Sequence, residues 1–260
     1  HGGNIDGFSS STSFFPTDSI GIFVSVNQNG SPIPGIIRNT IADKLLGLKY
    51  KDWHRSQKNA VDKAKAAAKE KEALEKLPNL KRATNMLICG EDLGLVPNCV
   101  PHVLRQLGML SLEVQRMPKA SNKTFFHPTD APYLSVVTPS SHDTSTIRGW
   151  WEEDKNKTQQ FFNHEIGEKG QAPEFCEPWI NKAILAQHLY SPAMWAIFQL
   201  QDFLGVDATI RRNNPKEEQI NVPANPKHYW RYRMHITLEN LLKQDEFNQE
   251  WKKTIQSSGR

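Results

Sequence analysis

The sequence has 260 residues, enough for one large domain or one domain with an appendage. Hydrophobic residues make up 38% and charged residues 23%, ordinary for a soluble globular chain, and no apolar run approaches the roughly 20 residues of a membrane span. The net charge of +4 is small for this size, whereas a dedicated nucleic-acid binder concentrates far more positive charge on one face.

The chain opens His1-Gly2-Gly3-Asn4, with neither the basic nor the apolar segment of a signal peptide and without an initiator Met. The expectation is a processed, trimmed or fragmentary chain. Residues 1–50 are unassigned, with short strands and loops rich in Gly, Ser, Asn and Pro; within them Ile20–Val26 reads as a strand and Asn29-Gly30 as a tight turn. Residues 51–80 read as a charged helix or insertion, rich in Lys, Ala and Glu, without Gly or Pro until Pro78. Its charges suit a solvated face, and Glu70, Glu72 and Glu75 interrupt the basic run that nucleic acid would need.

From residue 81 the pattern changes. Met86–Cys89 is a short apolar run ending in Gly90-Glu91-Asp92-Leu93-Gly94, followed by a helical pattern over about Val100–Leu107. Leu110–Met117, Tyr133–Thr138 and Ala193–Leu200 are further strand candidates. Helices are expected over about 144–153, onward to Ile166, over 180–188, and from 235–242. Strands alternating with helices indicate parallel βα units. Glu91, Gln115, His142, Asp143, Gln201 and Asp202 all stand just after strands, where a (β/α)8 barrel builds its active site. A doubly wound sheet alternates too, but its Gly-rich phosphate loop is missing. Cys89, Cys99 and Cys176 are odd in number and widely spaced, which points to reduced thiols in a cytosolic protein and to no zinc site. In that compartment the sequons at Asn122 and Asn156 are chance matches.

Adjacent carboxylates at Glu91-Asp92 repel one another, and a βα loop can raise one of them into the range of a general acid. Asp92 also suits the N-cap of the next helix, and Asp143 the cap of the turn beginning at Thr144. Taken together, two carboxylates at successive strand ends, with His142 and the nearby Trp150 and Trp151, suit a carbohydrate site: sugars stack on aromatic faces and their hydroxyls bond to carboxylates and imidazole.

Gly90-Glu91-Asp92-Leu93-Gly94-Leu95-Val96-Pro97 resembles the acid/base motif of glycoside hydrolase family 77, the amylomaltases or 4-α-glucanotransferases. Ser141-His142-Asp143 with Thr146, Trp150 and Trp151 resembles that family's later segment. Leu200-Gln201-Asp202, Ile220-Asn221-Val222-Pro223 and Tyr229-Trp230-Arg231-Tyr232-Arg233 resemble its closing motifs in order. Val114–Pro118, Asn225–Tyr229 and Ser257–Arg260 look closest to the cytosolic, maltose-using branch. The resemblance covers about residues 76 to 260.

It implies an α/β fold, the C-terminal half of a (β/α)8 TIM barrel with about strands 5–8 in residues 81–260, preceded by an irregular segment and a long charged helix. It also implies a retaining transferase acting on α-1,4-glucans, maltose, glycogen or soluble heteroglycan, cytoplasmic, with no cofactor or metal and no nucleic-acid or membrane partner. Glu91 would be the proton donor and later the base, Asp143 the transition-state stabiliser. His142, Gln115, Trp150, Asn221 and Pro223 would bind substrate. The acid and the nucleophile of a retaining enzyme stand about 5–5.5 Å apart. The family's nucleophile lies in an Arg-Ile-Asp-His-Phe-type motif, which is not found here; Asn4-Ile5-Asp6-Gly7-Phe8 lacks its arginine and histidine. The expectation is therefore that the nucleophile lies upstream of this chain, and that the chain alone has little activity. An α-amylase-like hydrolase and a non-catalytic glucan-binding remnant, keeping Trp150, Trp151 and Trp230, are the rival readings.

Overall fold

A computed structural model describes residues 2–5, 7–28, 30–94 and 96–260. They form two compact units: residues up to Lys76 with Pro97–Cys99, and Leu77–Val96 with Val100–Arg260.

The first unit holds an antiparallel meander, β1 (Gly2–Ile5), β2 (Phe8–Phe15) and β3 (Ile20–Val26), in that order. Ser9 and Ser11 turn one face of β2 inward, while Phe8 and Phe14 face solvent, the period of two that a half-covered strand requires. The expected strand is β3, whereas Asn29 and Asp6 lie outside the described residues. The helix α1 (Ile33–Leu45) falls in the stretch left unassigned by sequence; Pro34 sits in its first turn, where a missing N–H costs nothing. Its Arg38 Nη1 donates to Ser11 Oγ at 2.8 Å, fastening helix to sheet. The charged stretch forms α2 (Trp53–Arg82), with no buried residue. The helix continues through Pro78, giving up one backbone bond, instead of stopping there.

The second unit is built on a parallel sheet, β4 (Ser111–Val114), β5 (Ser135–Thr138) and β6 (Trp195–Ala196), in chain order. A parallel bridge, Cys89↔Leu110, adds the end of the Met86–Cys89 run beside β4: Gly90 N donates to Leu110 O at 2.8 Å and Leu110 N to Ile88 O at 2.9 Å. All the strands are shorter than the apolar runs suggested. Leu110 pairs only through the bridge, and Leu200 begins the short helix α7 (Leu200–Leu204) instead of ending a strand. Polar Gln199 and Gln201 turn to side-chain bonding there and leave the ladder.

Helices α3 (Val100–Leu107), α4 (Ile147–Glu153), α5 (Lys155–Phe161) and α6 (Pro178–Leu189) follow the strands. The expected final helix is two, α8 (Leu238–Leu242) and α9 (Asp245–Ser257). The core is aromatic: Phe125, Trp150, Trp151 and Phe161 meet edge to face, and Phe203 stacks on Trp251 at 4.4 Å. Among the described residues no helix is long and apolar enough to cross a membrane, and the three cysteines are unpaired.

Candidate functional site

Parallel strands place their C-terminal ends along one edge of the sheet. Glu91, Gln115, the Ser140–Asp143 loop and Gln199 all follow those ends.

After Cys89 the chain is held close to α3. A Cβ on Gly90 would sit 3.1 Å from Leu104 Cδ2, so this position has little room for a larger residue. The two carboxylates that follow separate. Asp92 is buried and accepts Leu112 N at 2.9 Å and Lys119 Nζ at 2.7 Å; the same lysine reaches buried Glu113 at 2.7 Å. Asp92 thus ties the loop to β4 and is not a helix cap, since α3 starts only at Val100. Glu91 remains exposed.

The loop after β5 does the opposite, turning both members of its pair outward. His142 Nε2 stands 3.3 Å from Asp143 Oδ2, and the two side chains are 52% and 49% exposed. Asn221 Nδ2 donates to Asp143 Oδ1 at 2.9 Å from a position 78 residues away. The imidazole also meets the Trp230 indole, with ring centroids 4.9 Å apart. Asp143 does not cap α4. That task falls to Thr146, whose hydroxyl accepts Gly149 N at 3.2 Å.

Beneath this loop lies a polar scaffold that sequence reasoning did not foresee. Arg116 donates to Pro139 O at 2.9 Å and Ser145 O at 2.5 Å, and Gln199 Nε2 donates to Ser140 Oγ at 2.7 Å and Ser141 O at 3.0 Å. Asp202 is fully buried and accepts Ile147 N at 2.7 Å together with the Ser140 hydroxyl. Burial pushes its carboxyl above the usual range, opposed by those two donors and by Arg116. Glu218 is buried against Arg148 and accepts Thr146 Oγ1 at 3.1 Å. Burial, only partly offset by Arg148, raises it to about 7. Glu218 lies three residues before Asn221, so the clamp on Glu218 also fixes the approach of Asn221 to Asp143. Gln201-Asp202, expected as strand-end chemistry, belongs to this scaffold: Gln201 Nε2 donates to Glu218 O at 3.0 Å.

The remaining expected residues divide. Gln115 is buried and donates to Gln187 Oε1 at 2.8 Å, and Pro223 is exposed. Trp150 needs correction as a sugar contact. It is 8% exposed, its ring meets Phe125 and Phe161, and the Arg116 guanidinium lies 5.3 Å from the ring centroid. Its apolar surface is used by the core. Among the described residues no group of three or more His, Cys, Asp or Glu is placed to hold a metal.

The second unit thus carries, on a parallel βα sheet, an exposed acid after one strand and a His-Asp pair after another. The profile of glycoside hydrolase family 77, 4-alpha-glucanotransferase, matches residues 27–238, and the chain belongs to this family. The match begins well before residue 76, taking in α1 and α2, which the motif resemblance had left out. The chain is 45% identical over 188 residues to the 4-alpha-glucanotransferase DPE2 of Oryza sativa subsp. japonica, covering 72% of this chain and 20% of the rice protein. It is 30% identical to a 4-alpha-glucanotransferase of Chlamydia caviae, covering 66% of this chain and 32% of that protein. Its fold resembles the amylomaltase from Streptococcus agalactiae in complex with acarbose, at a TM-score of 0.55 and 17% identity, over 72% of this chain and 35% of that one. The chain therefore spans from a fifth to about a third of the length of the relatives it matches.

Proposed function

We propose that this chain carries the acid/base and transition-state-binding part of a retaining 4-α-glucanotransferase barrel, about strands 5–8, acting on α-1,4-glucans such as maltose or glycogen in the cytoplasm. Glu91 protonates the departing glycosidic oxygen, then takes the proton from the 4-hydroxyl of an acceptor glucan as the glucosyl-enzyme is resolved. An exposed carboxyl free to reach substrate suits that task. Asp143 and His142 bond the hydroxyls of the sugar that becomes oxocarbenium-like, with Asn221 orienting Asp143 and exposed Pro223, two residues further on, contacting substrate. Gln115 supports the rim through Gln187 instead of touching sugar directly.

One contact supports this reading above the rest. The Asn221 bond to Asp143 joins two family motifs across 78 residues, and it leaves the second carboxylate oxygen beside His142. A carboxylate oriented from one side and half exposed on the other is prepared for hydroxyls. Retaining chemistry also needs a nucleophilic aspartate. No arginine in these 260 residues stands two places ahead of an aspartate, so the family's nucleophile motif has no counterpart in them.

The test exchanges these residues for the matching segment of the rice relative and follows glucose release from maltose plus glycogen. Glu91→Gln in that chimera lowers turnover by about 10²- to 10⁴-fold while glucan binding survives. Unchanged turnover would remove Glu91 from the chemistry. The chain assayed by itself should release almost no glucose, and robust turnover would show that it contains a nucleophile.

A further inference from the structure

We infer that Trp230 is the stacking platform for a glucosyl ring at the His142–Asp143 pair, a role that rests on the glucanotransferase reading above. A pyranose offers an apolar C–H face and a rim of hydroxyls. Recognition needs a flat aromatic surface next to polar groups in the ring plane. The chain has seven tryptophans, and Trp150 and Trp151, the two nearest Asp143 in sequence, are sealed in the core at 8% and 0% exposure. Trp151 also spends its indole N–H on Pro173 O. Trp230 is 60% exposed and is the tryptophan whose ring meets His142 among the described residues, at 4.9 Å and a tilt of 42°.

The same segment that brings Asn221 to Asp143 brings Trp230 to His142. It is folded back on itself: His228 Nε2 bonds Ile220 O at 2.9 Å, and His228 N and Asn225 N donate to Asn225 O and Val222 O. Its far end is fastened by Arg212, which donates to Arg233 O at 2.5 Å and pairs with Glu217. Two anchors with a turn between them fix the indole beside the dyad without burying it. Trp230 and the adjoining Tyr229 leave aromatic surface in water on this fastened segment. With Trp230 more than half exposed, part of the indole remains open to the sugar that Asp143 and His142 would hold.

Titration of the chain with maltoheptaose, followed by the indole N–H signals, tests this. The wild-type chain should bind and shift the Trp230 signal. Trp230→Ala should raise Kd about tenfold, and Trp230→Phe, which keeps a smaller platform, only about threefold. If Trp230→Ala binds like wild type while Asp143→Asn binds weakly, the platform is elsewhere and the glucanotransferase reading stands. If Ala and Phe variants weaken binding equally, the ring serves only to hold the segment, and stacking is refuted. A wild-type chain that binds no maltoheptaose would overturn the platform, whereas the glucanotransferase reading falls only if the Glu91→Gln chimera keeps full turnover.

Discussion

Two loops of the second unit begin alike and end differently. Each follows a parallel strand and presents an acidic pair or a His-Asp pair at its first turns. After Cys89 the second residue of the pair, Asp92, is drawn inward by Leu112 N and Lys119, leaving Glu91 outside. After β5 both His142 and Asp143 face out, and the inward ties come from other residues: Ser140 to Asp202, Thr146 to Glu218 and the Arg116 guanidinium to the loop carbonyls. A carboxylate that is itself an anchor is unavailable for substrate. A carboxylate carried on a loop anchored by its neighbours is both placed and free. Position after a strand therefore marks candidates, and the division of anchoring labour selects among them.

The contrast can be broken most severely at Glu218. Glu218→Ala strands the buried Arg148 guanidinium and should cost ~3–5 kcal/mol in urea denaturation. Glu218→Gln, which keeps an acceptor for Thr146, should cost less. The pH dependence sharpens the same point. The Glu218 carboxyl titrates near 4.5 when unfolded and at about 7 when folded. The stability it contributes is thus complete below pH 4.5 and is lost as pH rises to 7. Denaturation midpoints of wild type should fall over that window relative to Glu218→Gln; parallel profiles would refute the raised value.

At the other loop, Asp92→Ala leaves Leu112 N without its acceptor and Lys119 with Glu113 alone. It should cost about 1–3 kcal/mol. Glu91→Gln should leave the denaturation midpoint unchanged, and a comparable loss there would mean that Glu91 is an anchor too. Asn221→Ala should cost about 1 kcal/mol, because its partner Asp143 is half exposed and water can replace the amide.

Much of this was legible in sequence. Val100–Leu107 and Ile20–Val26 carry periodicities strong enough to fix their elements to the residue. Glu91 and Asp143 were legible as site candidates because they follow apolar runs. What failed has physical causes. Helix α1 was missed because its prolines and isoleucines read as loop or strand, although Pro is welcome in a first turn. Pro78 ends the stretch free of Gly and Pro, but propensity cannot show that a long helix survives the loss of one bond and runs on to Arg82. Trp150 reads as a sugar contact in sequence because one apolar ring looks like another, and only packing shows which rings the core has claimed. Arg116, Glu218 and the Trp230–His142 contact depend on pairs far apart in the chain, which no local pattern encodes.

The central claim is that Glu91 and Asp143 address one sugar. A crystal structure of the chain with maltoheptaose tests it most directly. The expected result is a glucosyl unit whose hydroxyls bond Asp143 and His142, with its glycosidic oxygen within hydrogen-bond reach of the Glu91 carboxyl. A glucan bound at Asp143 with Glu91 out of reach of every glycosidic oxygen would contradict the account.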